Sequence, residues 1–316
     1  MNNKIYFVGS GKIAVPIIDK IYRSEKLDLV GICTQQDRPA GRKKKLLPTP
    51  VGGWAEEHNI KIDKPASVNE ESFISGLKKL LPDIILVVSY GQILKPVFLA
   101  VPKLKCINVH ASLLPKYRGA SPINAAILNG EKETGISFME MEKGLDTGGV
   151  YYEVKHELSG REKADELEDI LGEMASNYVV NVLLDIANGK ILPKKQDNLA
   201  ATYVGKIKKA DGQIDWTFSA EKIDKMIRGY YPWPGGYFFI NTGKNQKKIS
   251  INDSKIRDDL TGKPGEIIRA NKKEWIISCG DNQSLELKNV IPEGKKSMSG
   301  SDFLRGVNIS EGTILT

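Results

Sequence analysis

The feature that most constrains the fold is an uninterrupted apolar run, Ile84–Val88. A strand that is apolar at every position is typical of the buried centre of a parallel sheet with helices on both faces. We therefore predict an α/β domain with residues 83–89 as its central strand. Ligands bind beyond the carboxyl ends of the strands in such sheets, so the turn Tyr90-Gly91-Gln92 is predicted to face a ligand.

The segments before this run fit the same class of fold. Residues 4–9 and 27–33 are short apolar runs, and a helical spacing of isoleucines lies between them. The connecting turn, Gly9-Ser10-Gly11-Lys12-Ile13-Ala14, matches the G-x-G-x-x-A fingerprint of dinucleotide-binding proteins. The acidic residue that holds a ribose is missing, because Cys33-Thr34-Gln35 ends the second run. We therefore favour a tight strand-to-helix turn over a nucleotide site.

A later strand pattern carries candidate reactive groups. From Cys106 onwards apolar residues alternate with Asn108, His110 and Ser112, and Pro115 ends the pattern. Residues two apart on a strand point to the same face, so Asn108 and His110 can reach the same substrate atom. An amide donor beside an imidazole, which can hold a proton near neutral pH, predicts a pair that activates a carbonyl group. A histidine with a structural role at a strand end fits the same pattern.

The partner expected for this pair is Asp146, in the stretch Gly144-Leu145-Asp146-Thr147-Gly148-Gly149. A carboxylate near His110 would favour the charged imidazole and could accept a proton. Aspartate in a glycine-rich stretch also has an ordinary role in turns, because its side chain hydrogen-bonds the local backbone. The residue types alone leave both interpretations open.

Length and composition indicate two domains. A chain of 316 residues, 41% of them hydrophobic, is long enough for two cores. We predict a catalytic domain at 1–189, a linker at 190–206 and a second domain at 207–316. The sequence has no apolar run of membrane-spanning length and no apolar signal core, so we expect a cytoplasmic protein without membrane contact. The cysteines at 33, 106 and 279 are far apart and show neither a disulfide nor a metal-binding pattern.

The second domain is predicted to be a small β-barrel, because short candidate strands alternate with turn signals such as Gly280-Asp281-Asn282. Residues 206–316 hold 19 Lys and Arg against 14 Asp and Glu, which is +5 of the chain's net charge of +7. This excess is compatible with a polyanionic partner or with a solvated surface. The aromatic residues Tyr230, Tyr231, Trp233 and Tyr237 are expected to pack inside a core or between the domains, in preference to stacking on bases.

A cationic run in the first domain allows the same two interpretations. The polar stretch 34–50 contains Arg42, Lys43, Lys44 and Lys45. Adjacent cations repel one another, so we do not expect this stretch to hold a fixed conformation in isolation. A nucleic-acid phosphate backbone would relieve the repulsion, and a solvated loop is equally compatible with the composition.

The motifs around the reactive pair resemble those of the folate-dependent formyltransferases. The matching stretches are the run from Asn108 to Ile123, Glu133-Thr134-Gly135, and Gly144-Leu145-Asp146-Thr147-Gly148. Within that family the whole chain is similar to members that act on transfer RNA. This similarity runs from Thr34-Gln35-Gln36-Asp37-Arg38-Pro39-Ala40-Gly41-Arg42 through Tyr231-Pro232-Trp233-Pro234-Gly235 to Gly294-Lys295-Lys296-Ser297-Met298-Ser299. The resemblance implies a Rossmann-like formyltransferase fold followed by a barrel similar to oligonucleotide-binding (OB) domains.

The resemblance also implies roles for particular residues. Asn108, His110 and Asp146 would be catalytic, and a formyl group would pass from 10-formyltetrahydrofolate to the α-amino group of initiator methionyl-tRNA without a metal. The folate would contact the loop residues Ser112, Leu113, Leu114 and Pro115 and the segments around Leu86, Tyr90, Gly91 and Met139. The transfer RNA would contact Arg42, Lys43, Lys44, Lys45 and Lys206 of a monomer.

Three other functions compete with this interpretation. A formyltransferase that acts on glycinamide ribonucleotide or an amino-sugar nucleotide would share the site, although the basic run and the second domain favour transfer RNA. A nucleotide-dependent oxidoreductase would use the turn at 9–14. A non-catalytic RNA-binding protein would leave Asn108, His110 and Asp146 without a role.

Overall fold

The computed structural model describes residues 2–40, 45–242, 245–307 and 309–315. The chain divides into two compact units. The first unit comprises residues 1–122, 133–157 and 167–205, and the second comprises residues 123–132, 158–166 and 206–316. The segment 190–205 therefore packs with the first unit.

The first part of the chain alternates strands and helices. Its strands are β1 (Asn3–Gly9), β2 (Leu27–Cys33), β3 (Arg38–Ala40), β4 (Lys45–Leu47), β5 (Ile84–Val88), β6 (Lys105–His110), β7 (Arg118–Gly119), β8 (Glu133–Glu140), β9 (Val150–Glu157) and β10 (Tyr203–Val204). Its helices are α1 (Ala14–Tyr22), α2 (Pro50–Glu57), α3 (Glu71–Leu80), α4 (Pro96–Leu99), α5 (Pro122–Leu128) and α6 (Ala164–Ala187).

The main sheet of the first unit has the strand order β2-β1-β5-β6-β8-β9. The first four strands in that order are parallel, and β8 and β9 are antiparallel to their neighbours. All five residues of β5 are buried, as expected for a central strand with helices on both faces. The predicted α/β class with residues 83–89 at its centre is confirmed.

The strand order reverses at β1, which pairs with β2 on one side and β5 on the other. A crevice outside the carboxyl ends of β1 and β5 is where such sheets bind ligands. The backbone N–H groups of Ser10 and Gly11 both donate to Ser89 O, at 3.3 and 3.2 Å. These donors hold the turn at 9–14 against the end of β5, which agrees with a strand-to-helix turn in preference to a pyrophosphate site.

The expectation that residues 34–50 lack a fixed conformation is wrong for the flanks of the cationic run. β3 and β4 pair as antiparallel strands, with Arg38 opposite Leu47 and Ala40 opposite Lys45. Backbone pairing, together with an ion pair between Lys64 and Asp37 at 2.7 Å, orders these flanks despite their polar composition. Arg42, Lys43 and Lys44 lie outside the described residues.

Helix α6 is long and apolar enough to cross a membrane, with a mean hydropathy of 1.2 in its most apolar window. Its residues Leu167, Leu171, Val179 and Leu183 are fully buried within the protein. A core helix of a globular protein has the same length and composition, so this property does not identify a membrane span.

The second unit contains an antiparallel sheet with the order β11-β12-β15-β14-β13, and β16 pairs with β15. Its elements are α7 (Ala220–Gly229), β11 (Gly236–Thr242), β12 (Asn245–Arg257), β13 (Ile267–Ala270), β14 (Trp275–Ser278), β15 (Ser284–Pro292), β16 (Met298–Ser299) and α8 (Gly300–Arg305). Phe238 of β11 and Ile267 of β13 lie in the same buried cluster as Trp275. Because residues from both ends of the strand order share one core, the sheet curls around it, and the predicted small barrel-like domain is confirmed.

Candidate active site

Strand β6 carries the predicted reactive pair at the carboxyl end of the main sheet. It runs between β5 and β8, with Asn108 opposite Val87 on one side and Met139 on the other. His110 is 5% exposed and Asn108 is half-buried. The Asn108 side-chain amide forms no hydrogen bond with any residue that the structure describes, so it is available to a bound molecule.

The contacts of His110 assign different roles to its two ring nitrogens. Nε2 lies 2.9 Å from Tyr117 O, and since a carbonyl oxygen only accepts, Nε2 must carry a hydrogen and donate it. Nδ1 lies 3.8 Å from Asp146 Oδ2. This distance is too long for a direct hydrogen bond and leaves Nδ1 as the nitrogen that can take part in a reaction.

Asp146 reaches the pair from the loop between β8 and β9. Its backbone has a φ of +51°, a left-handed conformation that aspartate tolerates better than most residues. Its carboxylate Oδ2 accepts a hydrogen bond from the Gly119 N–H at 2.8 Å, and its backbone carbonyl accepts one from Gln196 Nε2 at 2.8 Å. The fold thus brings Asp146 to His110 across 36 residues of sequence, as the sequence predicts.

The segment Tyr117–Gly119 was not identified from the sequence as part of the site, although it contacts both reactive groups. Tyr117 O accepts from His110, and Gly119 N–H donates to Asp146. Strand β7 in this segment pairs in parallel with β10. Only the adjacency of residues 117–119 to the Ser112–Pro115 loop could have directed attention to them, because their contacts are made by the backbone.

The loop after β6 is fixed by internal hydrogen bonds. Ser112 Oγ donates to Lys116 O at 2.6 Å, and the Leu114 N–H donates to Ser137 Oγ at 3.1 Å. The side chain of Leu114 is buried against Met139 and Val150. The side chains of Ser112 and Leu114 are therefore occupied within the protein. The predicted contacts of this loop with folate would come from its backbone atoms or from the side chains of Leu113 and Pro115.

The other residues predicted to contact folate also have inward side chains. Leu86 is fully buried and Met139 is 1% exposed. Tyr90 is buried with its hydroxyl 3.5 Å from Cys33 Sγ, and burial raises the pKa of Tyr90. Gly91 follows with a φ of +82°. At Tyr90 and Gly91 the backbone beyond the end of β5 is what a ligand can reach, whereas Leu86 lies in the middle of β5 and pairs with strands on both sides.

The residues predicted to contact RNA can be located only in part. Lys45 begins β4 and is exposed, and Lys206 is exposed directly after the segment that carries β10. Among the aromatic residues of the second unit, Tyr237 is buried as expected, whereas Trp233 is 59% exposed. The expectation that Trp233 packs inside the protein is wrong.

In the described part of the chain, no three His, Cys, Asp or Glu side chains cluster in a way that could hold a metal ion. The cysteines are buried and unpaired in disulfides. Burial raises the pKa of the Cys33 and Cys106 thiols to about 12. These thiols are therefore protonated near neutral pH and are poor nucleophiles.

The amide, imidazole and carboxylate at the edge of an α/β sheet are typical of an enzyme that transfers an acyl group. The family model described as formyl transferase matches residues 3–183, and the model of the formyl transferase C-terminal domain matches residues 206–308. The chain belongs to the formyl transferase family.

Relatives with assigned activities cover almost the whole chain. A methionyl-tRNA formyltransferase of Caldanaerobacter subterraneus is 39% identical over 313 residues, which is 99% of this chain and 99% of the relative. A methionyl-tRNA formyltransferase of Methylacidiphilum infernorum is 36% identical over 312 residues, or 99% of this chain and 98% of the relative.

Solved structures share the fold at lower identity. The methionyl-tRNA formyltransferase of Clostridium thermocellum is 19% identical with a TM-score of 0.56, over 82% of this chain and 95% of that one. WlaRD, a sugar 3N-formyl transferase determined with dTDP and 5-N-formyl-THF, is 20% identical with a TM-score of 0.65. The match covers 94% of this chain and 100% of WlaRD. HypX from Aquifex aeolicus in complex with tetrahydrofolic acid is 13% identical with a TM-score of 0.62, and the chain spans 50% of its length.

Proposed function

We propose that this enzyme transfers the formyl group of 10-formyltetrahydrofolate to the α-amino group of initiator methionyl-tRNA. The observation that carries the proposal is the arrangement of Asn108, His110 and Asp146, with an unbonded amide and a free imidazole nitrogen at one sheet edge. Relatives named methionyl-tRNA formyltransferase, at 36 to 39% identity over nearly the whole chain, support the choice of acceptor.

The reaction is an acyl transfer in which the amine attacks the formyl carbon. Negative charge develops on the formyl oxygen, and a folate nitrogen leaves. The Asn108 amide donates one hydrogen bond to this oxygen, and His110 donates a second from Nδ1 when the ring is protonated. Each such donor contributes on the order of 3–4 kcal/mol to the transition state. The Nε2 bond to Tyr117 O keeps Nδ1 turned towards the reaction.

A proton must leave the attacking amine and reach the departing folate nitrogen. Asp146 accepts the amine proton directly or through a water molecule, because its carboxylate is near the imidazole and points towards it. The proton taken from the amine balances the one delivered to the folate nitrogen, so neither a covalent enzyme intermediate nor a redox partner is required.

The formyl donor is held by backbone groups of three segments. These are the loop after β5 around Tyr90 and Gly91, the loop from Ser112 to Pro115 after β6, and the part of β8 near Met139. Structural neighbours determined with folates, WlaRD and HypX, support a folate-derived donor for this fold.

The acceptor RNA is contacted by the cationic run of Arg42, Lys43, Lys44 and Lys45 and by Lys206, the last residue of the linker. The catalytic domain at 1–189, the linker at 190–206 and the barrel domain at 207–316 act as one monomer. The proposal places the enzyme in the cytoplasm, where initiator transfer RNA and folate are both present.

An amino-sugar nucleotide is the alternative acceptor. WlaRD, which shares the fold at 20% identity, is named a sugar 3N-formyl transferase. Glycinamide ribonucleotide is a further acceptor compatible with the same reactive groups. These alternatives lack a use for the cationic run and for the positive charge of residues 206–316.

One assay distinguishes the acceptors. The protein is incubated with 10-formyltetrahydrofolate labelled in the formyl group, and separately with methionyl initiator tRNA, glycinamide ribonucleotide and an amino-sugar nucleotide. We expect label to appear on the transfer RNA alone. Label on either small acceptor, with none on the RNA, would assign the enzyme to that branch of the family.

A further inference from the structure

We propose that Gln196, oriented by Arg118, is a positioning residue for the carboxylate of Asp146. The inference rests on the proposed function, since it concerns the same reactive groups. The proposed mechanism uses no direct contact between either residue and the reacting atoms of the substrate. Their influence passes through the backbone of Asp146, which Gln196 holds.

Gln196 uses all of its hydrogen-bonding capacity. Its Nε2 donates to Asp146 O at 2.8 Å and to Gly148 O at 2.7 Å. Its Oε1 accepts from Arg118 Nε at 3.0 Å and from an Arg118 terminal nitrogen at 2.9 Å. With two donors and two acceptor sites occupied, the amide has one possible orientation, because a flipped amide would place its NH2 against the guanidinium.

Arg118 is 1% exposed, although a buried charge is costly unless it is paired or well hydrogen-bonded. None of the carboxylates that the structure describes forms an ion pair with it. Its guanidinium donates only to neutral oxygens, those of Gln196, Asn198 and Tyr203. A positive charge against the Gln196 carbonyl oxygen polarises the amide and strengthens its two N–H donors, which point at the Asp146 loop.

The hydrogen bonds from Gln196 stabilise the Asp146 loop, whose backbone conformation is unfavourable. The left-handed backbone of Asp146, with φ at +51°, is less favourable for a non-glycine residue than the ordinary regions. The two bonds from Gln196 hold this turn on both sides of Thr147, and Gly119, next to Arg118 in sequence, holds the carboxylate itself. Loss of the Gln196 donors would let the carboxylate move from its place 3.8 Å from His110 Nδ1.

The first test measures turnover and substrate affinity of Gln196→Ala. We expect kcat to fall by about 10- to 100-fold, as small displacements of reacting groups commonly cause, with KM for the formyl donor and for the RNA within about threefold of wild type. The matched control is Asn124→Ala, which removes an amide that donates to Gly229 O at 2.7 Å in the second unit, and it should keep its kcat. A wild-type kcat for Gln196→Ala would overturn the proposal.

A double-mutant cycle separates positioning from a general loss of structure. If Gln196 acts through the Asp146 carboxylate, adding Gln196→Ala to Asp146→Asn should lower kcat by no more than about twofold further, because the function it supports is already lost. Asn124→Ala should have the same small effect in either background. A full, multiplicative loss on top of Asp146→Asn would refute the inference.

Further variants keep the test valid if Gln196→Ala does not fold. Gln196→Glu keeps an acceptor for Arg118 but has no N–H to give to Asp146 and Gly148, so kcat should fall while the melting temperature is kept. Arg118→Lys should lower kcat, whereas Arg228→Lys, at an arginine whose side chain is 12% exposed and pairs with Asp224, should not. Full activity of both Gln196→Glu and Arg118→Lys would overturn the proposal. Turnover of the wild-type enzyme with each acceptor tests the proposed function independently of these variants.

Discussion

At the scale of single residues, the chemistry of the site depends on which polar atoms are already bonded. His110 Nε2 is occupied by Tyr117 O, and one oxygen of Asp146 is occupied by the Gly119 N–H. The Asn108 amide is unbonded within the described residues, and His110 Nδ1 has only the distant Asp146 carboxylate. The two unbonded groups are the ones that the proposed mechanism uses as donors to the formyl oxygen.

Single alanine substitutions at the three reactive residues test this assignment. Asn108→Ala, His110→Ala and Asp146→Ala should each lower kcat more than about tenfold, because each removes a group used chiefly in the transition state. Initial rates of formyl transfer measure the effect, and melting temperatures near that of wild type establish that the fold is kept. Asn129→Ala, which removes a local bond to Ala125 O, is the control. A residue whose variant turns over normally has no part in the mechanism.

At the scale of elements, the pairing of β7 with β10 determines the shape of the site. Gly119 has a φ of +116°, and a Cβ there would collide with Val204 O of β10. A side chain is therefore excluded both by conformation and by space. The same residue supplies the N–H that holds Asp146, so the strand pairing and the catalytic geometry depend on one glycine.

Gly119→Ala should lower the free energy of unfolding by at least about 1–3 kcal/mol, the usual cost of backbone strain, and should reduce kcat by displacing Asp146. Urea unfolding and initial rates measure the two effects. Gly76→Ala is the matched control, because Gly76 lies inside α3 with no atom near its Cβ position. It should stabilise the helix by about 0.5–1 kcal/mol. Equal stability of the two variants would contradict the account of the β7–β10 contact.

At the scale of the whole molecule, both units contain buried thiols. Burial raises the pKa of Cys33, Cys106 and Cys279 to about 12 from an ordinary value of 9.0. Between these values the unfolded chain loses thiol protons that the folded chain keeps. The contribution of these protonated thiols to the free energy of unfolding is therefore complete below about pH 9 and is lost as the pH rises towards 12.

We expect the thiols to be inert towards a thiol reagent in the native protein at pH 8, and all three to react in denaturant. The free energy of unfolding, followed by urea titration, should fall as the pH is raised from 8 to 10.5, by up to about 1.4 kcal/mol per pH unit for each thiol. Rapid labelling of the native protein, or stability that rises over this range, would contradict the burial of these groups.

RNA binding is also a property of the whole molecule, because the proposed contacts come from the first domain and from the linker that leads to the second. Arg42→Ala and Lys206→Ala should weaken use of methionyl-tRNA and make its salt dependence shallower, since each removes a cation that displaces a counterion from the RNA. Folate binding without RNA should be unchanged. The control is Lys26→Ala, at an exposed lysine beside the amino end of β2. Wild-type activity and salt slope in both variants would show that these cations are only solvated.

The sequence by itself determined the class of both domains and predicted Asn108, His110 and Asp146 as the reactive residues. Its signals are local: the apolar run of β5 and the alternation along β6 are properties of consecutive residues, and the spacing of Asn108 and His110 follows from strand geometry. Asp146 was found through motif resemblance. The exposure of Trp233 was not predicted, because residue type alone does not determine whether an aromatic side chain is buried.

Only the tertiary structure decided which imidazole nitrogen is free, why Arg118 is buried, and how Gln196 supports Asp146. These features depend on contacts between residues up to 85 positions apart, such as Arg118 with Tyr203. A polar residue in a polar stretch, such as Gln196 between Lys195 and Asp197, has no local pattern that distinguishes it from a solvated neighbour. Its role arises because chain folding brings two backbone carbonyls and a guanidinium around one amide, and distance in space is not written in any single stretch of sequence.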